Sequence, residues 1–329
     1  MNVAITIALA CAFIALCGWL YQKAGERRDA RRLPPPGEIL GGFHILRRGH
    51  TSPPVVLEAG IAASSLSWAG VLNQIPEDRL VIAYDRLGFG WSAAPASPRT
   101  LDNLVADLAT VLDLAGINEP AILAGHSFGG LLIRRFAAQH PERVAALLLL
   151  DPLEPFECHP LTRHQSARLA RGVMLSRRGA LLARIGIVRF TLDLLVAGSQ
   201  FIPKLLARAA SGKGTSVPDR FVGEVRKMPS EVWPAVRAHW CLPKSFITIA
   251  EYLARLPETC KSAESTELPK SLPVTVITAS TSTEQVRNAH ASYATRHITA
   301  QDAGHWVQLD RPDLVATEIR RLGPPARVQ

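Results

Sequence analysis

A chain of 329 residues, 47% of them hydrophobic and 20% charged, carries enough apolar side chain for a large core, which excludes intrinsic disorder and small cross-linked scaffolds. The formal charge of +9 invites nucleic acid. The arginines, however, sit in an N-terminal segment and a helical stretch without interleaved aromatics or a recognition motif, so that class is set aside and attraction to anionic lipid accounts for the charge.

Residues Val3 to Tyr21 form an almost unbroken apolar run without a charged side chain, the length that crosses a bilayer as a helix. Lys23, Arg27, Arg28, Arg31 and Arg32 follow at once, and no Lys or Arg precedes the run. A cleavable signal peptide has the opposite order. Residues 1–22 therefore read as an uncleaved single-pass anchor, and the excess of positive charge after it keeps the rest of the chain in the cytoplasm. Ala8-Leu9-Ala10-Cys11 bears some likeness to a lipoprotein cleavage site, and a processed, exported form is the alternative. Residues 23–37 read as a basic linker, whose prolines at 34 to 36 favour extended chain.

The folded domain is expected from Glu38. Strands are expected at Phe43 to Arg47, Pro53 to Glu58 and Leu80 to Tyr84, the last running into the glycine-punctuated loop Asp85-Arg86-Leu87-Gly88-Phe89-Gly90-Trp91-Ser92. Apolar residues at 101, 104, 105, 108, 111, 112 and 115 recur at helical spacing between Thr100 and Gly116. Next come Ala121-Ile122-Leu123, a buried-strand pattern, and Leu131 to Phe136, the start of a helix. Between them Gly125 and Gly129 flank Ser127 at G-x-S-x-G spacing. Such a pattern is also found in ordinary glycine-rich loops, but a strand before and a helix after put this serine on a tight turn. The turn lifts its hydroxyl out of the sheet, and the Phe128 amide and the positive end of the helix face the space beside it.

Val144 to Leu150 reads as a central parallel strand closing at Asp151-Pro152. Strands alternating with helices imply a parallel sheet. The alternation stops from about Leu153 to Lys270, where helical cores are expected at Ala167 to Met174, Ala180 to Ala197 and Glu251 to Leu256. Arg163, Arg168, Arg171, Arg177, Arg178, Arg184 and Arg189 face few acidic residues here, and read either as a solvated face or as a basic surface lying on the membrane. Sheet pattern returns at Pro273 to Ala279 and Arg296 to Thr299. A loop, Asp302 to Asp310, then opens onto a final helix ending near Gly323. The five cysteines are odd in number and form no C-x-x-C pair, which favours reduced thiols over a disulfide framework or zinc site.

Gly125-His126-Ser127-Phe128-Gly129-Gly130, the Asp85 to Ser92 loop, and Gly304-His305 followed by Asp310-Arg311-Pro312 together resemble the α/β-hydrolase superfamily, from about Gly42 to Leu322. The resemblance implies an α/β fold with a mostly parallel central sheet flanked by helices, its core formed by residues 38–152 and 271–323. A helical cap, 153–270, would be inserted after the strand that follows the nucleophile helix, and 324–329 would be a tail. It also implies nucleophile, acid and histidine in that chain order. Carried onto this sequence, Ser127 is the nucleophile and His305 the base. Relatives place the acid after the strand corresponding to Pro273 to Ala279, where this chain offers Glu284 and no aspartate, or at the end of the preceding strand, where Asp151 sits. Asp151 is favoured and Glu284 is second. Relatives open the first oxyanion loop with His-Gly, whereas this chain has Ala59-Gly60-Ile61. The donor is a backbone amide, so Ile61 and Phe128 are the expected pair.

Epoxide hydrolases and dehalogenases of this fold use an aspartate nucleophile. A serine therefore implies a cofactor-independent serine hydrolase, acting on a carboxylic ester with an apolar part. The alternatives are a thioesterase, amidase, C–C bond hydrolase or cofactor-free haloperoxidase of the same fold, or a ligand receptor that keeps the triad. No metal or nucleotide motif is present, and no obligatory protein partner is evident. The expected partners are a small apolar substrate and membrane lipid, the latter met by residues 3–21 and by the basic cap.

Overall fold

The computed structural model describes residues 3–196 and 223–323. Among them eight strands pair into one sheet: β1 (Glu38–Leu40), β2 (Phe43–Arg48), β3 (Thr51–Glu58), β4 (Arg79–Asp85), β5 (Ala121–His126), β6 (Val144–Leu150), β7 (Val274–Ala279) and β8 (Arg296–Ala300). Their spatial order is β1-β2-β4-β3-β5-β6-β7-β8. β2 runs antiparallel to β1 and β4, and every other neighbouring pair is parallel. Strand β5 is buried along its whole length and β6 along all but Ala145, as continuous apolar runs require when helices cover both faces of a parallel sheet. On one face lie the helices Leu101–Leu114 and Phe128–Gln139, contributing Leu104, Leu108, Leu132 and Phe136 to the larger core. On the other, Trp68, Val71, Val315 and Ile319 close a second core.

Seven of these strands lie within two residues of their expected bounds at either end or extend a little beyond them. β1 was not legible, because it is a three-residue edge strand with two exposed positions. It folds onto β2 through Gly41 and Gly42, both at positive φ.

Register decides what the sheet presents at its carboxyl edge. Glu58 pairs with Gly125, His126 with Leu150, and Leu150 with Ile277. The segments leaving β3, β5, β6 and β7 therefore emerge side by side, the place where open parallel sheets build sites.

Between β6 and β7 the described residues form the helices Arg163–Arg184, Ile187–Val196, Trp233–Trp240 and Pro243–Ala263. The cores expected at Ala167 to Met174 and Glu251 to Leu256 fall within them, whereas the single helix expected over Ala180 to Ala197 is broken at Ile185 and Gly186, the latter at φ 73°. Ala197 lies outside the described residues, as do residues 198–222 of the cap and the tail at 324–329. The longest of these helices starts at a capping box, Thr162 with Gln165, which satisfies two otherwise orphaned backbone donors.

The N-terminal helix, Val3–Arg32, is long and apolar enough to cross a membrane. It corrects one expectation. Residues 23–32, read as linker, continue the helix, which ends only at Arg32, and residues 33–37 form the connection to β1. Ala, Gln, Lys, Glu and Arg favour helix well enough, but the tertiary contacts are what the sequence concealed. Gln22, Gly25 and Asp29 are buried against the cap. Gln22 Nε2 donates to the Cys241 carbonyl at 2.9 Å. Arg189, expected among the solvated or lipid-facing arginines, is fully buried and donates to Gln22 Oε1 at 3.0 Å and to Asp29 Oδ2 at 2.5 Å. The helices meet closely at Gly18, where a Cβ would lie 2.2 Å from the Ile185 carbonyl oxygen. The preceding apolar turns, with Val3, Ile7, Phe13 and Leu16, remain exposed.

Candidate active site

Ser127 joins β5 to the helix Phe128–Gln139 at φ 52°, ψ −117°. For a residue with a Cβ this conformation costs energy, of order 1–3 kcal/mol, and it persists only where the surroundings enforce it. The enforcement is visible on both sides. The Ser127 amide donates to the Leu150 carbonyl at 3.0 Å, and its carbonyl accepts from the Leu153 amide at 3.0 Å. The flanking glycines are sterically required: a Cβ on Gly125 would meet Ile133 Cδ1 at 2.7 Å, and one on Gly129 would meet the Glu58 and Ala59 carbonyl oxygens at 2.6 Å.

The Ser127 hydroxyl lies 2.9 Å from His305 Nε2. On its other side the His305 ring lies 2.7 Å from Asp151, Nδ1 to Oδ2. A carboxylate only accepts, so the proton belongs on Nδ1 and Nε2 is left to take one from the serine. Asp151 leaves β6 at φ 40°, a second non-glycine residue in the left-handed region at this edge of the sheet. Its other oxygen accepts from the Ala279 amide at 3.0 Å and the Ser282 hydroxyl at 2.6 Å. Burial works against the Asp151 carboxylate, but the hydrogen bonds from His305, Ser282 and Ala279 outweigh it and hold its pKa below the ordinary value. The structure thus brings Ser127, His305 and Asp151 together. Glu284 instead stands exposed in the first turn of the helix Glu284–Tyr293.

The loop carrying His305 is held through its backbone. The Gly304 amide donates to Asp310 Oδ2 at 2.8 Å, and the His305 carbonyl accepts from His126 Nε2 at 2.8 Å. The His126 ring packs against those of His305 and Trp306. Burial, with the nearby His305 adding to it, lowers the His126 pKa to about 3, so this imidazole is neutral. His290 and His297 lie apart, both hydrogen-bonded to Thr278.

Ile61 stands in the turn after β3, and Phe128 is the first residue of the elbow helix. Neither amide N–H has an acceptor among the described residues, so both are free to bind an oxygen anion. Three supporting contacts escaped the sequence: the Ser282 hydroxyl on Asp151, His126 on the His305 carbonyl, and Arg86 on the Gly60 carbonyl. Only the last left a signal, an arginine directly after β4 and a glutamate at the end of the adjacent β3. Among the described residues no cluster of three or more His, Cys, Asp and Glu side chains is arranged to hold a metal.

Comparison with known proteins bears on the fold. The family model for the α/β hydrolase fold matches residues 53–213. A thermophilic esterase from Thermogutta terrifontis superposes with a TM-score of 0.57 at 21% identity, over 85% of this chain and 92% of that one. Epoxide hydrolase CorEH superposes at 0.61 and 18%, over 87% and 96%. The protein has the α/β-hydrolase fold. Among curated relatives of this α/β-hydrolase-fold protein, lipase LipV of Mycobacterium tuberculosis is 40% identical over 111 residues, covering 33% of this chain and 41% of the lipase. The (lyso)-N-acylphosphatidylethanolamine lipase of Mus musculus is 35% identical over 103 residues, 30% of each chain. The chain spans less than half the length of these relatives.

Proposed function

We propose that this protein is a membrane-anchored serine hydrolase that cleaves a carboxylic ester with an apolar acyl or alkyl part. The observation that carries the reading is the unbroken relay from Ser127 Oγ through His305 to Asp151, at 2.9 and 2.7 Å. His305 Nε2 takes the Ser127 proton as the oxygen attacks the ester carbonyl. Negative charge gathers on the carbonyl oxygen, and the Ile61 and Phe128 amides receive it. Such a donor is worth about 3 kcal/mol in the transition state. His305 returns the proton to the departing alcohol. It then draws one from the water that hydrolyses the acyl-enzyme, and Asp151 steadies the imidazolium in both steps. No step calls for a cofactor.

A serine at the elbow, where a carboxylate would open an epoxide, favours ester chemistry over that of the epoxide-hydrolase neighbours. The lipase relatives favour an apolar ester. In this reading residues 3–21 cross the bilayer, the basic residues from Lys23 to Arg32 keep the domain on the cytoplasmic side, and core and cap divide at 38–152 with 271–323, and 153–270. The helix is docked to the cap through Gln22, Asp29 and Arg189, which makes the cap the part of the domain nearest the lipid, and its exposed arginines suit anionic headgroups. The test is hydrolysis of p-nitrophenyl esters of graded acyl length, beside matching thioesters and amides, by wild type and Ser127→Ala. Turnover of esters above the other classes, rising with chain length and lost in Ser127→Ala, is expected. No ester turnover by wild type, or equal turnover by the variant, overturns the reading.

A further inference from the structure

Arg86 leaves β4 and is 3% exposed. Its Nη1 donates to Glu58 Oε1 at 2.9 Å and its Nη2 to the Gly60 carbonyl oxygen at 2.5 Å. The guanidinium carbon lies 5.2 Å from the ring centre of Tyr252, contributed by the cap helix Pro243–Ala263, and 5.4 Å from that of Phe128. Glu58 also accepts from the Tyr84 hydroxyl. One buried cation therefore touches the residue before Ile61 and the side chain of Phe128, the two residues whose amides the proposed mechanism assigns to the oxyanion.

The Gly60 carbonyl and the Ile61 N–H belong to the same planar trans peptide unit, in which oxygen and hydrogen point in opposite directions. Fixing the oxygen fixes the aim of the hydrogen. Position 60 needs such a restraint. A Cβ there would lie 2.6 Å from His126 Nδ1, so glycine is required, and glycine leaves the adjoining backbone dihedrals loosely confined. The other donor to the Gly60 oxygen is the Ala63 amide at 3.3 Å, a longer and neutral bond. A charged donor is stronger than a neutral one. By polarising the peptide it also makes the N–H at the far end a better donor.

We propose that Arg86 is the positioning residue of the oxyanion hole, orienting and polarising the Gly60–Ile61 peptide while its face supports Phe128, with Glu58 holding the guanidinium in place. This rests on the serine-hydrolase reading above. Arg86 touches no reacting atom, and its effect reaches the substrate only through the two amides. Since the oxyanion exists only after attack, losing its alignment acts on the chemical step and spares substrate binding.

The variants are Arg86→Met, which removes both donors, Arg86→Lys, which keeps the charge and one donor, and Glu58→Gln with Arg86→Met, which removes the pair together so that no buried carboxylate is stranded. Kinetics on an ester turned over by wild type are compared with the affinity of a trifluoromethyl ketone, whose serine hemiketal oxygen mimics the oxyanion, and with thermal melting. We expect kcat of Arg86→Met to fall about a hundredfold or more with KM within threefold, ketone affinity to fall in parallel, and Arg86→Lys to recover part of both. If Arg86→Met does not fold, the double variant and Arg86→Lys carry the test. The proposal is overturned if the folded variants keep kcat within threefold, or lose activity through KM alone while ketone affinity holds. Failure of the underlying reading looks different: wild type itself then neither turns over the ester nor binds the ketone.

Discussion

Replacing Asp151 by asparagine keeps the size of the side chain and changes one property, the group facing His305. In the native site both carboxylate oxygens accept, one from His305 Nδ1 at 2.7 Å and the other from Ala279 N and Ser282 Oγ at 3.0 and 2.6 Å. An asparagine keeps its oxygen on the second pair, where two donors demand an acceptor, and so turns its NH2 toward His305. Nδ1 must then accept, and the ring proton moves to Nε2, the atom that has to receive the Ser127 proton. The base is lost while the ring stays in place. The same substitution in the serine-protease template costs about 10⁴ in kcat, or about 5.5 kcal/mol at 1.36 kcal/mol per decade. The assay is ester turnover by wild type, Asp151→Asn and Glu284→Gln, with circular dichroism and thermal melting to establish folding. A loss of about three to four decades in Asp151→Asn with little change in Glu284→Gln is expected. Turnover within tenfold of wild type in a folded Asp151→Asn would refute the assignment of Asp151 and the tautomer argument with it.

Two further predictions concern stability. His126 and His239 are buried and neutral, their pKa values lowered by burial to about 3 and about 4. In the unfolded chain both titrate near 6.5, so below that pH the unfolded state binds more protons and stability falls as pH drops toward the folded values. Between pH 7 and 5 each contributes a loss of about 2 kcal/mol. Urea denaturation at the two pH values measures it, His126→Gln should recover its share, and equal stability at both would contradict the burial of these rings. Deleting residues 1–16 removes exposed apolar turns and should give a protein that stays in the supernatant without detergent and keeps its melting temperature. Deleting 1–32 takes away Gln22 and Asp29, with their bonds to Arg189 and the Cys241 carbonyl, and the packing of this helix on the cap, and should lower the melting temperature. Equal melting of the two truncations would show that the docking contributes nothing.

The sheet and the elbow were legible because local pattern and final environment agree. Val144 to Leu150 is apolar throughout and is buried almost throughout, and Gly125 and Gly129 are glycines because atoms of neighbouring segments occupy the space a Cβ would need. Where pattern stops and tertiary contact decides, reading falters. Arg189 looked like one of several exposed arginines, yet its partners Gln22 and Asp29 lie 167 and 160 residues away. The continuation of the first helix through Arg32 has the same origin. The choice between Asp151 and Glu284 was open in the chain because it turns on the register of β6 against β7, which sets the Asp151 carboxylate beside the Ala279 amide. Arg86 was visible as part of a glycine-rich loop, but its bond to the Gly60 carbonyl depends on β3 and β4 being neighbours.

The central claim is that Ser127 is a nucleophile poised for attack, and covalent labelling tests it without knowledge of the substrate. A fluorophosphonate added to the purified full-length protein should give a single adduct in the intact mass, mapping by peptide sequencing to Ser127. His305→Ala should label more slowly, and Ser127→Ala not at all. An unlabelled wild type, or a Ser127→Ala variant labelled to the same extent, would contradict it.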